Sequence, residues 1–237
     1  MQIAFRWYLP TQVQQAVGQA LDEALIDSLL HAPTAELRMS YFRTFTTVAL
    51  SQRGMIVLKD LLNQHLNIPG IPLGPADRQR ILQRLTLLDD GQCASLIEAE
   101  RRQLGGDTRR FLFVMQAAAR NAKAQQFAAL RADATLAEAW MDEALLPFNA
   151  PEHADLTIAF LPAALTALPE LKRERKIFFV NRWLAAFIGG QHGSDALLLV
   201  RNFLDMHPTL EADLHRKVEE AAGELERTVR IRNKGLQ

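Results

Sequence analysis

The stretch HPTLEADLH, residues 207–215, holds His207, Glu211 and His215 at spacings of four and four. Side chains four apart lie on one face of an α-helix. Two imidazoles with a carboxylate are a common ligand set for zinc or iron, so the chemistry at stake is that of a metalloenzyme. Pro208 argues otherwise. Proline suits the first helical position and lacks the amide that a helix interior needs. The helix is therefore expected to begin at Pro208 or Thr209, with His207 at or before its cap. Helical spacing then need not join His207 to Glu211, and Glu211 with His215 reads as an ordinary surface pair.

The other histidines, His31, His65, His153 and His192, are scattered. The sequence contains no His-Glu-x-x-His, no Gly-x-Ser-x-Gly elbow and no phosphate-binding Gly-x-x-x-x-Gly-Lys-Ser/Thr loop. Cys93 has no Cys-x-x-Cys partner and reads as a small core residue. No catalytic residue and no metal ligand is assigned to this chain. A different chemistry is open to LKRERK, residues 171–176. Such a run is ordinarily a solvated helix face, but Lys172, Arg173 and Arg175 together can hold a peptide carboxylate. They are the candidate peptide-binding residues. In the terminal ELERTVRIRNK, Glu226 and Arg230 are expected to pair, and the basic residues suit a helix C-terminus.

These side chains must be carried by helices. Val218, Ala221, Ala222, Leu225 and Val229 follow three-and-four spacing, as do Ile81, Leu82, Leu85 and Leu88, and also Leu37, Tyr41, Thr44, Phe45 and Val48. The apolar runs FLFVM, KIFFV and ALLLV sit within longer stretches of good helix formers and are expected to be buried helix rather than strand. Pro33-Thr34, Gly105-Gly106, Asp133 to Thr135, Asn149-Ala150-Pro151 and Gly189-Gly190 mark boundaries. The loop NIPGIPLGP, residues 67–75, is the richest in proline and glycine and is a possible hinge. About ten to twelve helices of ordinary globular length are expected. Short turns between helices with one apolar face imply antiparallel pairs stacked side by side. The expected fold is all-α, an irregular α-solenoid of HEAT or armadillo type forming one domain over residues 1–237.

Composition narrows the partners. Lysine plus arginine and aspartate plus glutamate both number 27, so the chain lacks the basic excess of a nucleic-acid binder. One cysteine excludes a disulfide framework and suits a reducing, cytoplasmic setting. No apolar run is long enough to span a bilayer, and MQIAFRWYLP lacks the core of a secretory signal. Neither nucleic acid nor membrane is expected as a partner.

Several stretches, in order, resemble the C-terminal helical domain of zinc aminopeptidases of the aminopeptidase N type, which include the puromycin-sensitive and endoplasmic-reticulum enzymes. They are GIPLGPADRQRILQRL, ARNAKAQQFAAL with ATLAEAWMDEALLPFN, FLPAALTALPELKRERKIFFVNRWLAAF, and HPTLEADLHRKVEEAAGELERTVRIR. Together they cover nearly the whole chain. The family often has tryptophan where Gln79 stands and near Leu171-Lys172. It often has proline shortly before the position of Lys123 and at Gly189-Gly190. Those departures fit a distant bacterial branch.

The resemblance implies a non-catalytic portion of a longer enzyme. Its zinc and glutamate base would lie on a separate catalytic domain of the same polypeptide, the chain's expected partner. The helical domain would close the chamber and help bind the distal part of peptide substrates. The alternative expectation is a free-standing α-solenoid scaffold for protein–protein interaction.

Overall fold

A computed structural model describes residues 2–132 and 135–234. Of the expected boundary at Asp133 to Thr135, the first two residues therefore lie outside the described residues. Among those described, every regular element is helical, and an isolated bridge between Ile68 and Ile71 is the nearest approach to a sheet. FLFVM, KIFFV and ALLLV fall on helices or at a helix start, as their surroundings predict. Fourteen α-helices appear among the described residues. The excess over expectation lies mainly at 151–174, where Pro151, Pro162 and Pro169 each restart the helix at its first turn. The chain forms two compact units, Met1–Leu104 and Gly105–Gln237.

Unit 1 holds α1 (Thr11–His31), α2 (Ala35–Val48), α3 (Gln52–Leu62), α4 (Pro75–Leu87) and α5 (Cys93–Leu104). Helix α1 packs on α2 and α3, α2 on α4, and α4 on α3 and α5. Caps explain the boundaries. Thr34 Oγ1 accepts from Leu37 N, Ser51 Oγ from Gly54 N, and Asp77 Oδ2 from Gly74 N, with Pro75 at the first helical position. Phe42, Phe45, Val48, Leu58, Leu61, Ile81, Leu82 and Leu85 fill the core. Leu37, expected on the inner face, is exposed, because α2 turns Phe42 inward instead.

A buried carboxylate ties this unit together. Asp22 Oδ2 on α1 accepts from Ser51 Oγ at 2.6 Å, Ser51 N at 2.8 Å and Leu50 N at 3.1 Å. It satisfies amides at the start of α3 that the helix itself leaves without partners. Gly54 makes room for it: a Cβ there would lie 3.0 Å from Asp22 Cγ and closer still to its oxygen.

Unit 2 contains α6 (Arg109–Ala118), α7 (Lys123–Ala132), α8 (Glu138–Phe148), the short α9 (Ala154–Thr157), α10 (Leu161–Thr166) and α11 (Leu168–Glu174), then α12 (Ile177–Phe187), α13 (Ser194–Met206) and α14 (Ala212–Lys234). Its polar contacts fix directions. Glu138 at the start of α8 accepts from Lys176 N at the start of α12, Asp142 meets Arg182 at 2.9 Å further along, and Gly190 abuts Asn149 at the far end. Helices α8 and α12 therefore run parallel. Arg110 pairs with Glu143, and Lys123 joins Ala117 O to Phe148 O, so α6 runs parallel to α8. Helix α14 packs on α12 and on α13. The row α6, α8, α12, α14 is thus backed by the intervening segments. There, the Phe127 ring of α7 lies tilted 4.9 Å from that of Phe160, and Arg131 donates to Ala163 O at 3.1 Å.

Aromatic rings fill the space between. Phe127, Phe148, Phe160 and Phe187 make pairwise contacts at 4.9–6.3 Å, and Trp183 lies 4.4 Å from Phe187. Such pairs add about 0.5–1.5 kcal/mol beyond their burial. Trp183 is fully buried, and its indole N–H donates to Ala164 O at 3.0 Å. No single described helix is long and apolar enough to cross a membrane. A bent pair, Pro151–Thr166 with Leu168–Glu174, has suitable composition, but Leu161, Leu165, Leu168 and Leu171 are buried in this core.

Candidate functional site

The basic candidates lie where α11 ends and α12 begins. Lys172 reaches across to the start of α14, donating to Glu211 and, at 3.3 Å, to Asp213. The ion pair with Glu211 raises the Lys172 pKa. Asp213 is held below the usual carboxylate range by Lys217 first and Lys172 second. Arg173 is exposed. Arg175 lies one residue beyond α11, in extended backbone, with its guanidinium 5.9 Å from the Phe179 ring on α12. The structure thus turns Lys172 toward α14 and Arg175 toward α12, and leaves Arg173 to solvent. Two further carboxylates border this rim. Asp142 is raised by burial against the pull of Arg182, and Glu138 caps Lys176 N. The rim offers cations to an anionic group at its outer edge, interleaved with acids, and presents no paired nucleophile and base.

HPTLEADLH does not form one helix face. Helix α13 ends at Met206, and His207 takes φ −123°, ψ 57° at its cap. The next helix starts at Ala212, later than Pro208 suggests, because Leu210 N bonds back to His207 O and closes a turn. His207 Nδ1 donates to Phe203 O at 2.8 Å. Glu211 goes to Lys172 rather than to His215, and His215 approaches Glu219 at 3.4 Å. The three side chains face three different partners and do not fit a shared zinc or iron ion. Among the described residues no group of three His, Cys, Asp or Glu is placed to hold a metal.

At the other end of the parallel row, polar groups are buried. Lys123 is 4% exposed. Its ammonium donates to Ala117 O and Phe148 O, both at 2.7 Å, and to Pro147 O at 3.4 Å, and stands 5.0 Å from the Phe148 ring centroid. It thereby closes the C-terminal turns of α6 and α8, whose last carbonyls lack intrahelical partners. Burial pulls its pKa down to about 7. Beyond the end of α12, where Gly190 abuts Asn149, Gln191 Nε2 donates to Thr157 Oγ1 at 2.9 Å, and His192 Nε2 bonds Pro151 O at 3.1 Å. Burial, then Arg232, lowers the His192 pKa. This end is a structural latch. In unit 1, Cys93 is half-buried at the start of α5 rather than in the core, and burial pushes its thiol up to about 11, which does not suit a nucleophile.

The sequence reading did not find Glu211 and Asp213 as partners of Lys172, nor a role for Lys123. The first pairing spans 39 residues and leaves no local signal. A lysine amid QQFAAL and helix formers looks like any surface lysine. Comparison with protein-family models and with curated proteins gives no match.

Proposed function

We propose that this chain is a non-catalytic helical-repeat portion of a zinc aminopeptidase of the aminopeptidase N type. It closes the chamber formed with the catalytic domain of the same polypeptide and helps bind the distal part of peptide substrates. The observation that carries the reading is the order of neighbours in unit 2. Neighbours in the row, α6 with α8 and α8 with α12, lie side by side and parallel, with the intervening segments behind them. Such an order is what stacked αα-hairpins of HEAT or armadillo type would give, and it supports that reading. In unit 1, α1 against α3 and α2 against α4 follow the same rule. The stretches that resemble the aminopeptidase domain coincide with these helices, which supports a solenoid of that kind.

In this reading Arg173 and Arg175 attract the carboxylate of a long peptide, while Lys172 fastens α11 to α14. Zinc and its glutamate base belong to the catalytic domain, and no residue of this chain is given metal chemistry. The lone cysteine fits a cytoplasmic setting. A second reading, a free-standing scaffold for protein partners, is favoured by the exposure of Leu146, Phe178, Leu198 and Met206 at 60–71%. Arg173→Glu in the intact enzyme tests the peptide-binding role without touching the Lys172 pairs. KM should rise severalfold for long peptides and stay unchanged for dipeptides, and an unchanged KM for long peptides removes this rim from the mechanism.

A further inference from the structure

The loop between α3 and α4 leaves two hollows on unit 1, of about 290 and 210 Å³, that share Gln64 and Arg78 in their walls. Each is below the ~300–1,000 Å³ of a drug-sized or cofactor pocket, so each suits a residue or two rather than a nucleotide. Arg78 on α4 is the divider. Its Nε donates to Glu100 at 2.9 Å, Nη2 to Glu100 at 2.6 Å and to Gln103 Oε1 at 3.1 Å, and Nη1 to Leu62 O at 2.7 Å. A guanidinium carries five N–H donors, and these bonds engage four. One Nη1 donor remains for another acceptor.

Charge restricts what that acceptor is. Glu100 is 4% exposed and already neutralises Arg78 through a forked pair. An incoming carboxylate or phosphate would meet Glu100 at close quarters and gain no unpaired cation, which costs more than it returns. The polar lining is amide-rich, with Asn63, Gln64 and Gln103 around one hollow and Asn67 in the other. The second hollow adds an aliphatic wall of Ile68, Ile71 and Leu73. Gln64 has φ 61°, the left-handed region that costs a non-glycine residue roughly 1–2 kcal/mol. It closes the end of α3, where Gln64 N bonds back to Leu61 O and His65 N to Asp60 O, and its side-chain amide lines both hollows.

We propose that this face of unit 1 is a docking subsite for the main chain of an extended, uncharged peptide segment. A peptide carbonyl accepts the remaining Arg78 N–H. The Gln64 and Gln103 amides pair with neighbouring peptide groups, and one aliphatic side chain enters the Ile68–Ile71–Leu73 hollow. The subsite stands on its own chemistry and does not depend on membership of a peptidase.

The test is titration of the whole chain with acetyl-Ala-Leu-Ala-amide, followed by amide and side-chain shifts in ¹H–¹⁵N spectra, with sodium acetate as the anionic control. Saturable shifts are expected at Asn63, Gln64, Gln103 and the Arg78 Nε, with acetate leaving them in place. Gln64→Gly, which suits the backbone there, and Gln103→Ala should each weaken binding about tenfold while the circular dichroism stays unchanged. No saturable shift at about 10 mM peptide, the same shifts with acetate, or undiminished binding in both variants would each overturn the proposal.

Discussion

Gly190→Ala bears most directly on how α8 and α12 are held together. Gly190 is buried at the end of α12. A Cβ there would lie 2.7 Å from Ala186 O and 2.8 Å from Asn149 Cβ, and closer still to Asn149 O. Forcing an extra methyl group into a packed core costs about 1–3 kcal/mol. Here the obstacles include backbone oxygens, which cannot rotate away, so a loss of about 2–3 kcal/mol is expected. In a chain of this size each kcal/mol moves the midpoint by roughly 2–4 °C, so Tm should fall by about 5–10 °C. Gly223→Ala is the matched control. Gly223 sits within α14, and nothing lies within 4 Å of its added Cβ. Removing a helical glycine there should stabilise by up to about 1 kcal/mol. Urea unfolding followed by tryptophan fluorescence reads both, since Trp183 lies in the same core. If Gly190→Ala unfolds at the same urea concentration as the parent chain, the close approach of α8 and α12 is wrong.

Asp22→Ala leaves two backbone amides and the Ser51 hydroxyl without their acceptor. It should cost about 2–4 kcal/mol in urea unfolding, and a loss below half of that would show the carboxylate to be dispensable. Lys123 sets a pH dependence. The folded chain releases its proton near 7, whereas an unfolded lysine holds it to about 10.4. Between those values the unfolded state binds more protons, so stability should rise as pH increases from 7 toward 10. Lys123→Met should flatten that rise, and a slope unchanged in the variant would assign it to other groups. Cys93, with its thiol raised to about 11, should react with iodoacetamide at pH 8 about two orders of magnitude more slowly than a free cysteine. Alkylation at the free-cysteine rate would mean that the start of α5 opens readily.

What the sequence disclosed is what helical period carries. Val218, Ala222, Leu225 and Val229 are buried along α14, and Ile81, Leu82 and Leu85 along α4, in line with their spacing. Partners distant in sequence left no such trace. Glu226 was expected to pair with Arg230 four residues on, but it meets Arg201 on α13 at 2.6 Å. A hairpin partner across a packed interface competes with the local one, and periodicity cannot rank them. Pro208 correctly separated His207 from the last helix, yet that helix starts further on, because the chain first closes a turn through His207 O. The Lys172 cluster was legible as charge. Its pairing with Glu211 and Asp213 was not, since it needs α11 and α14 to be folded against each other.

The proposed role of this chain within a zinc aminopeptidase is open to direct test. The most direct measurement is immunocapture from source cells with an antibody to this chain, reading both the mass of the captured polypeptide and its release of N-terminal amino acids from peptides. A polypeptide several times larger than 26.6 kDa is expected, with aminopeptidase activity that chelator removes and zinc restores. A captured polypeptide of 26.6 kDa without that activity would contradict the proposed role.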